Sequence, residues 1–209
     1  MSMRKPRIYW LFRLMMVTAV LLSVACSEKK KNVMPVATTI VVQPFSGISQ
    51  KQVDAIAKRL KLHFHAVKVS ATIDLPKLAF SAPRQRYRAD SLLNFLLVKH
   101  PDKNVIVLGV TDKDISIGKN DIPDWGVMGL SYWPGRSCIV STFRLSKMQA
   151  DEPLYKLAVH ELGHASGLPH CPVKSCYMRN AEGRNPLNEE TGFCEKCRKY
   201  LVGRNWLIQ

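Results

Sequence analysis

Eleven residues, His160-Glu161-Leu162-Gly163-His164-Ala165-Ser166-Gly167-Leu168-Pro169-His170, constrain this 209-residue chain more than any other stretch. On a helix, His160 and His164 lie on one face about one turn apart, so both imidazoles reach a single Zn²⁺. Gly167 ends that helix, because glycine accepts the left-handed turn that other residues resist. Pro169 blocks continuation, and His170 is free to return as a third ligand. Three neutral histidines leave a fourth tetrahedral position for water, which marks a catalytic site. Glu161 sits beside the metal without binding it and can take a proton from the bound water, then pass it to a leaving amine. Two surface histidines and a capping glycine alone would not require Gly167, Pro169 and His170 in this register.

Four cysteines follow at once: Cys171, Cys176, Cys194 and Cys197, the last two forming a C-x-x-C pair. The spacing suits a tetrahedral Cys₄ zinc. Two disulfides are the rival where the compartment is oxidising, and spacing alone leaves both open. Cys138, on a predicted strand, reads as a small buried hydrophobe.

The chain before this motif alternates strands with helices. Ala37 to Phe45 is β-branched and apolar, a buried strand. Val53, Ile56, Ala57 and Leu60 recur at helical spacing from Ser49 to about His63. Ala66 to Ile73 reads as a strand, Ala89 to Lys99 as a helix, and Asn104 to Val110 as a central strand. Asp112 to Asp124 reads as polar and turn-rich. Trp125 to Trp133 is glycine-rich and suits an edge strand, and Cys138 to Phe143 is the last strand. Acidic Asp151 and Glu152 with Pro153 open a helix running to about Ser166. This order predicts an α/β or α+β domain with helices against one twisted, mixed sheet. Arg84, Arg86 and Arg88 read as coating a solvated loop. His63, His65 and His100 read as surface or helix-end residues, and Tyr132 and Tyr177 as packing residues more than oxyanion donors.

At the N-terminus, Arg4, Lys5 and Arg7 precede an apolar run from Leu14 to Leu22 broken only by Thr18. That is short for a membrane span and suits a signal peptide. It ends in Leu21-Leu22-Ser23-Val24-Ala25-Cys26, which resembles a bacterial lipoprotein signal. The expected organisation is a cleaved leader, 1–25, then an acylated Cys26 opening a flexible charged tether, 26–36, and a catalytic domain, 37–209. The expected location is the bacterial cell envelope, anchored in a membrane through Cys26, or secreted or periplasmic without the lipid. The formal net charge of +15 favours anionic partners in general and solubility in particular. Export away from the genome argues against nucleic acid as a partner, and no aromatic-basic recognition motif accompanies the charge.

Taken together, His160-Glu161-x-x-His164-x-x-Gly167-x-x-His170-Cys171, Cys176-Tyr177-Met178 and Cys194-x-x-Cys197 resemble the archaemetzincins. Residues 135–145 resemble the family as well. The resemblance implies a metzincin-like zincin domain and two zinc ions per chain. One is catalytic, on His160, His164 and His170 with Glu161 as general base. The other is structural, on Cys171, Cys176, Cys194 and Cys197. Met178 matches the methionine whose turn forms an apolar floor beneath the catalytic zinc. The edge strand near Gly126 to Trp133 would form the upper rim of the cleft, where a peptide could add as a further strand. The expected activity is hydrolysis of peptide bonds in a peptide or protein substrate by Glu-assisted attack of zinc-bound water. The competing expectation is a non-catalytic zinc-knuckle protein that binds peptides or polyanions.

Overall fold

The computed structural model describes residues 39–145, 151–181 and 183–208. The leader, Cys26 and the tether lie outside the described residues. In chain order the elements are β1 (Thr39–Pro44), α1 (Gln50–Leu60), β2 (Ala66–Val69), β3 (Phe80–Ser81), β4 (Arg86–Arg88), α2 (Ala89–Lys99), β5 (Val105–Thr111), β6 (Ile115–Lys119), β7 (Ile122–Val127), β8 (Gly129–Ser131), β9 (Ser137–Ser141), α3 (Asp151–Ala165) and α4 (Glu195–Val202). Among the described residues, no helix is long and apolar enough to cross a membrane.

Five strands form the principal sheet in the order β2-β1-β5-β9-β8. The first four are mutually parallel, and β8 runs antiparallel to β9 at the edge. The chain moves outward from β1 to β2 through α1 and returns to the other side of β1 through α2. Crossovers of one hand then put the two helices on opposite faces. Strand side chains alternate accordingly. Ile40, Val42, Ile106, Leu108, Val110, Cys138 and Val140 pack in the core that includes α1 and α3. Val107 and Ile139 pack with Leu92, Leu93 and Leu96 of α2. Burial on both faces explains why β1, β5 and β9 read as nearly continuous apolar runs.

The helices follow their periodicity. Val53, Ile56, Ala57 and Leu60 form the buried face of α1, and the Ser49 hydroxyl caps its start by accepting from the Gln52 N–H at 3.3 Å. Helix α3 lies across β8 and β9 with Leu154, Ala158 and Leu162 fully buried. Each such leucine contributes about 1.5–3 kcal/mol. This apolar anchoring fixes α3 on the sheet and lets its other face carry polar chemistry.

Several sequence expectations are corrected here. Asp112 to Asp124 is not simply a loop, because it contains β6 and the start of β7. These strands belong to a second, four-stranded sheet, β3-β4-β6-β7, so the single sheet becomes two. The Trp125 to Trp133 segment divides at Met128, its first part ending β7 and its second forming β8. Arg86 does not coat a solvated loop. It lies in β4 and bonds Asp114 at 2.6 Å, with Asp124 at 3.8 Å. Arg144 grips Asp114 from the other side at 2.8 Å. The carboxylates that hold Arg86 lie far along the chain, so local sequence cannot reveal them.

Candidate active site

Helix α3 ends as its sequence requires. The Gly167 N–H bonds the His164 carbonyl at 2.8 Å and the Leu168 N–H bonds the Gly163 carbonyl at 2.9 Å. Gly167 adopts φ +99°. This is a Schellman ending, with Leu168 buried behind it. The reversal brings His170 back against the two helix histidines. Ring centroids lie 4.6 Å apart for His164 and His170 and 5.5 Å for His160 and His170.

The donor atoms converge. One ring nitrogen from each of His160, His164 and His170 lies within 4.8 Å of the others. The His160 and His164 Nε2 atoms are 3.1 Å apart. Two nitrogens bound tetrahedrally at about 2.0–2.1 Å would stand roughly 3.3 Å apart, so the spacing fits a zinc ion. The opposite nitrogens are already committed. His160 Nδ1 donates to the Tyr177 carbonyl at 2.6 Å, and His164 Nδ1 donates to the Leu168 carbonyl at 2.7 Å. These bonds fix the tautomer and turn each Nε2 toward the shared point. Burial, followed by the neighbouring His164, pushes His160 down to about 3. His164 and His170 are also lowered, chiefly by burial. All three rings are therefore neutral at physiological pH, the form that ligates metal.

Glu161 lies on the inner side. It is 6% exposed, and a Cβ placed on Gly129 of β8 would stand 2.5 Å from its Oε1. Burial pushes its carboxyl up to about 8. Holding it ionised there without a cation would cost roughly 5 kcal/mol. A divalent cation on the three imidazoles would reverse that sign and restore the carboxylate.

Met178 packs against α3 at Gly163. It is fully buried, and a Cβ on Gly163 would meet its Sδ at 2.5 Å. Only glycine at 163 lets the helix settle on this thioether. The turn is tied back by the Cys171 N–H to the Met178 carbonyl at 2.7 Å and the Arg179 N–H to the Cys176 carbonyl at 2.9 Å.

The four cysteines also converge. The sulfurs of Cys171, Cys176, Cys194 and Cys197 all lie within 4.8 Å of one another, with Cys171 and Cys194 at 3.7 Å. A tetrahedral Zn–S₄ site with bonds of about 2.3 Å has edges of roughly 3.8 Å. A disulfide would bring one pair to about 2 Å. Burial pushes the Cys176 and Cys197 thiols up. Cys194 goes the other way: burial still opposes its thiolate, but the Cys197 backbone and neighbouring thiols donate to it.

Beside His160 and Glu161 opens a cavity of about 440 Å³. Val127, Met128 and Gly129 form one wall, Leu157 of α3 another, and Arg179 to Ala181, Gly183 to Leu187 and Glu190 a third. One side therefore belongs to the sheet edge and the other to the segment after the methionine turn.

A profile of peptidase family M54 matches residues 42–202, which include both donor clusters. The chain belongs to this family. It is similar to the archaemetzincin of Archaeoglobus fulgidus, 34% identical over 166 residues that cover 76% of this chain and 95% of that one. The crystal structure of that protein, complexed with malonate, superposes with a TM-score of 0.67 at 31% identity, covering 78% of this chain and 99% of that one. The archaemetzincin structure from Methanopyrus kandleri gives a TM-score of 0.69 at 28% identity, over 81% and 96% of the two chains. The fold is thus the archaemetzincin fold, and the chain is a zinc metallopeptidase of family M54.

The other candidates find different partners. His63 bonds the Tyr155 hydroxyl, and His100 Nε2 meets Gln43 Oε1 at 3.0 Å. Tyr132 donates to Asn94 Oδ1 at 2.6 Å, on the α2 side. The ring of Tyr177 packs on Tyr155 and Phe193, while its carbonyl holds His160. Neither phenol lines the cavity. Cys138 is fully buried, as expected. Sequence reasoning missed Gly163, Gly129 and Glu190. An HExxH glycine that must meet a methionine is legible only once Met178 is known to fold beneath the helix.

Proposed function

We propose that His160, His164 and His170 hold a catalytic zinc ion, that Glu161 is the general base, and that the chain hydrolyses peptide bonds. The observation that carries this reading is the convergence of three neutral imidazoles, each helix histidine locked through Nδ1, with a buried carboxyl at their inner side. Zinc bound there would supply a Lewis acid and a water acidic enough to deprotonate near pH 7. Glu161 accepts the proton of the attacking water and delivers it to the leaving amine. Its burial against Gly129 keeps bulk water from competing for that proton. The Tyr177 and Leu168 carbonyls hold the ligand rings rigid, so no reorganisation is required during the reaction. β8, at the sheet edge, offers backbone groups for a peptide to add as an antiparallel strand.

We assign Cys171, Cys176, Cys194 and Cys197 to a second, structural zinc. The mutual approach of the four sulfurs, all within 4.8 Å of one another, supports this. The site fastens the segment that carries His170 and Met178 and takes no part in proton transfer. The leader sequence supports an exported lipoprotein anchored through Cys26, and metabolic lipid labelling lost in Cys26→Ser would test it.

The test of the peptidase reading is Glu161→Ala. It should retain zinc and fold yet lose kcat by several orders of magnitude. A variant that still cleaves peptides at the wild-type rate would sink the assigned mechanism.

A further inference from the structure

The cavity beside the histidines holds a second carboxylate that the hydrolytic chemistry does not use. Glu190 lines it and is 2% exposed. Its Oε2 has no hydrogen-bond partner among the described residues. The nearest cations are already engaged. Lys156 Nζ donates to the backbone carbonyls of Leu187 and Glu190, at 2.8 and 2.6 Å. Arg179 pairs with the exposed Glu189 at 2.6 Å. They lower the cost of a charge on Glu190 without bonding it, and burial still pushes its carboxyl up to about 7.

Buried polar groups in native proteins nearly always have a partner, and an exception at the wall of a cavity calls for a ligand. A desolvated carboxylate attracts a cation more strongly than exposed charges repel one, because the local dielectric is lower. The exposed cations at the cavity, Lys119, Arg144 and Arg184, are weakened by solvent or by partners. Lys119 lies over the Trp125 ring and Arg144 is held by Asp114.

We propose that Glu190 is a specificity-determining residue whose carboxylate binds a cationic group of the peptide substrate, ammonium or guanidinium, in the cavity beside His160 and Glu161. This rests on the peptidase reading above and deepens it by naming a substrate class. The cation comes either from a lysine or arginine side chain next to the scissile bond or from a free N-terminal amine. The first makes the site selective within a chain, and the second makes the enzyme an aminopeptidase.

The test uses zinc-loaded protein and matched peptides carrying lysine, norleucine or glutamate beside the cleaved bond, each with a free and an acetylated N-terminus. Wild type should favour lysine over norleucine, or free over acetylated N-termini, by tenfold or more in kcat/KM. Glu190→Gln should erase that preference while cleaving the acetylated norleucine peptide within about threefold of wild type. Glu189→Gln, the exposed neighbour, should keep the preference. Glu190→Asp, which restores the charge, should recover part of it and guards against a folding artefact. Peptide affinity of the Glu161→Ala protein, read by fluorescence anisotropy, repeats the comparison without turnover. A lysine or amine preference that survives in Glu190→Gln overturns the proposal. So does equal affinity for cationic and neutral peptides in the anisotropy arm. Failure of wild type to cleave any peptide counts against the peptidase reading instead, and the anisotropy arm still decides the role of Glu190.

Discussion

The two donor clusters are built by opposite strategies. The histidine cluster borrows its geometry from the α/β framework. Two of its histidines project from α3, whose leucines are locked onto β8 and β9, and the third follows a Schellman turn. The cysteine cluster draws its donors from the C-terminal segment that starts at Cys171, where α4 is the only helix among the described residues. That segment contributes few large core residues, chiefly Met178, Leu187, Leu201 and Trp206. An apolar framework can pre-assemble a site and leave it open for chemistry. A loop-rich segment with a small core gains most from a cross-link, the role proposed above for the four cysteines. Structural zinc binding is folding free energy in such segments.

The largest expected contrast is between Cys194→Ser and His164→Ala. Cys194→Ser should unfold residues from Cys171 onward and lower the melting temperature sharply, since a structural zinc contributes on the order of 10 kcal/mol. His164→Ala should abolish cleavage with far less change in melting. Circular dichroism melts and zinc counts on both variants check this; equal destabilisation by the two would erase the distinction.

Next comes the pH response of Glu190. Its folded pKa of about 7 is raised above the ordinary carboxyl value of 4.5. The folded state therefore holds more protons than the unfolded state between those values, and stability falls as pH rises through that window. The loss from this one group is at most about 3 kcal/mol. Denaturant melts from pH 4.5 to 7.5 should give a shallower decline in Glu190→Gln than in wild type. Parallel curves would show that the buried carboxyl is not titrating.

Gly163→Ala places a methyl into the Met178 thioether. Overpacking of this kind costs about 1–3 kcal/mol, against about 1 kcal/mol gained in helix propensity. Activity should fall more than stability, because Met178 supports the turn whose carbonyl at Tyr177 orients His160. The smallest effect is expected at Gly167→Ala, about 1 kcal/mol, from the positive φ and the nearby Tyr200 hydroxyl. Chemical melts of both variants, with kcat measured alongside, check the ranking.

Sequence made the histidine site legible because its information is local. Four-residue spacing, a glycine at the helix end and a proline beyond it each have a short-range meaning, and the structure keeps all three. The parallel strands were legible because burial on both faces makes them uniformly apolar. The β6–β7 hairpin was not, since Ile115-Ser116-Ile117-Gly118-Lys119 is short and half polar. Its pairing with β4 and the Arg86–Asp114–Arg144 group join residues distant in sequence. Helix α4 escaped notice because Cys197 and Leu201 are its only buried residues. Glu190 looked like one acidic residue in a polar stretch, and only the cavity it shares with His160 and Glu161 gives it a place beside the site.

The most direct measurement is a chelator titration of the purified protein that counts bound zinc while following peptide cleavage and circular dichroism together. Two zinc ions per chain should be found at the start. Loss of the first should stop cleavage with the spectrum unchanged, and loss of the second should unfold the C-terminal segment. A single zinc per chain, or cleavage that persists until the fold itself is lost, would contradict the division of labour between the histidine and cysteine clusters.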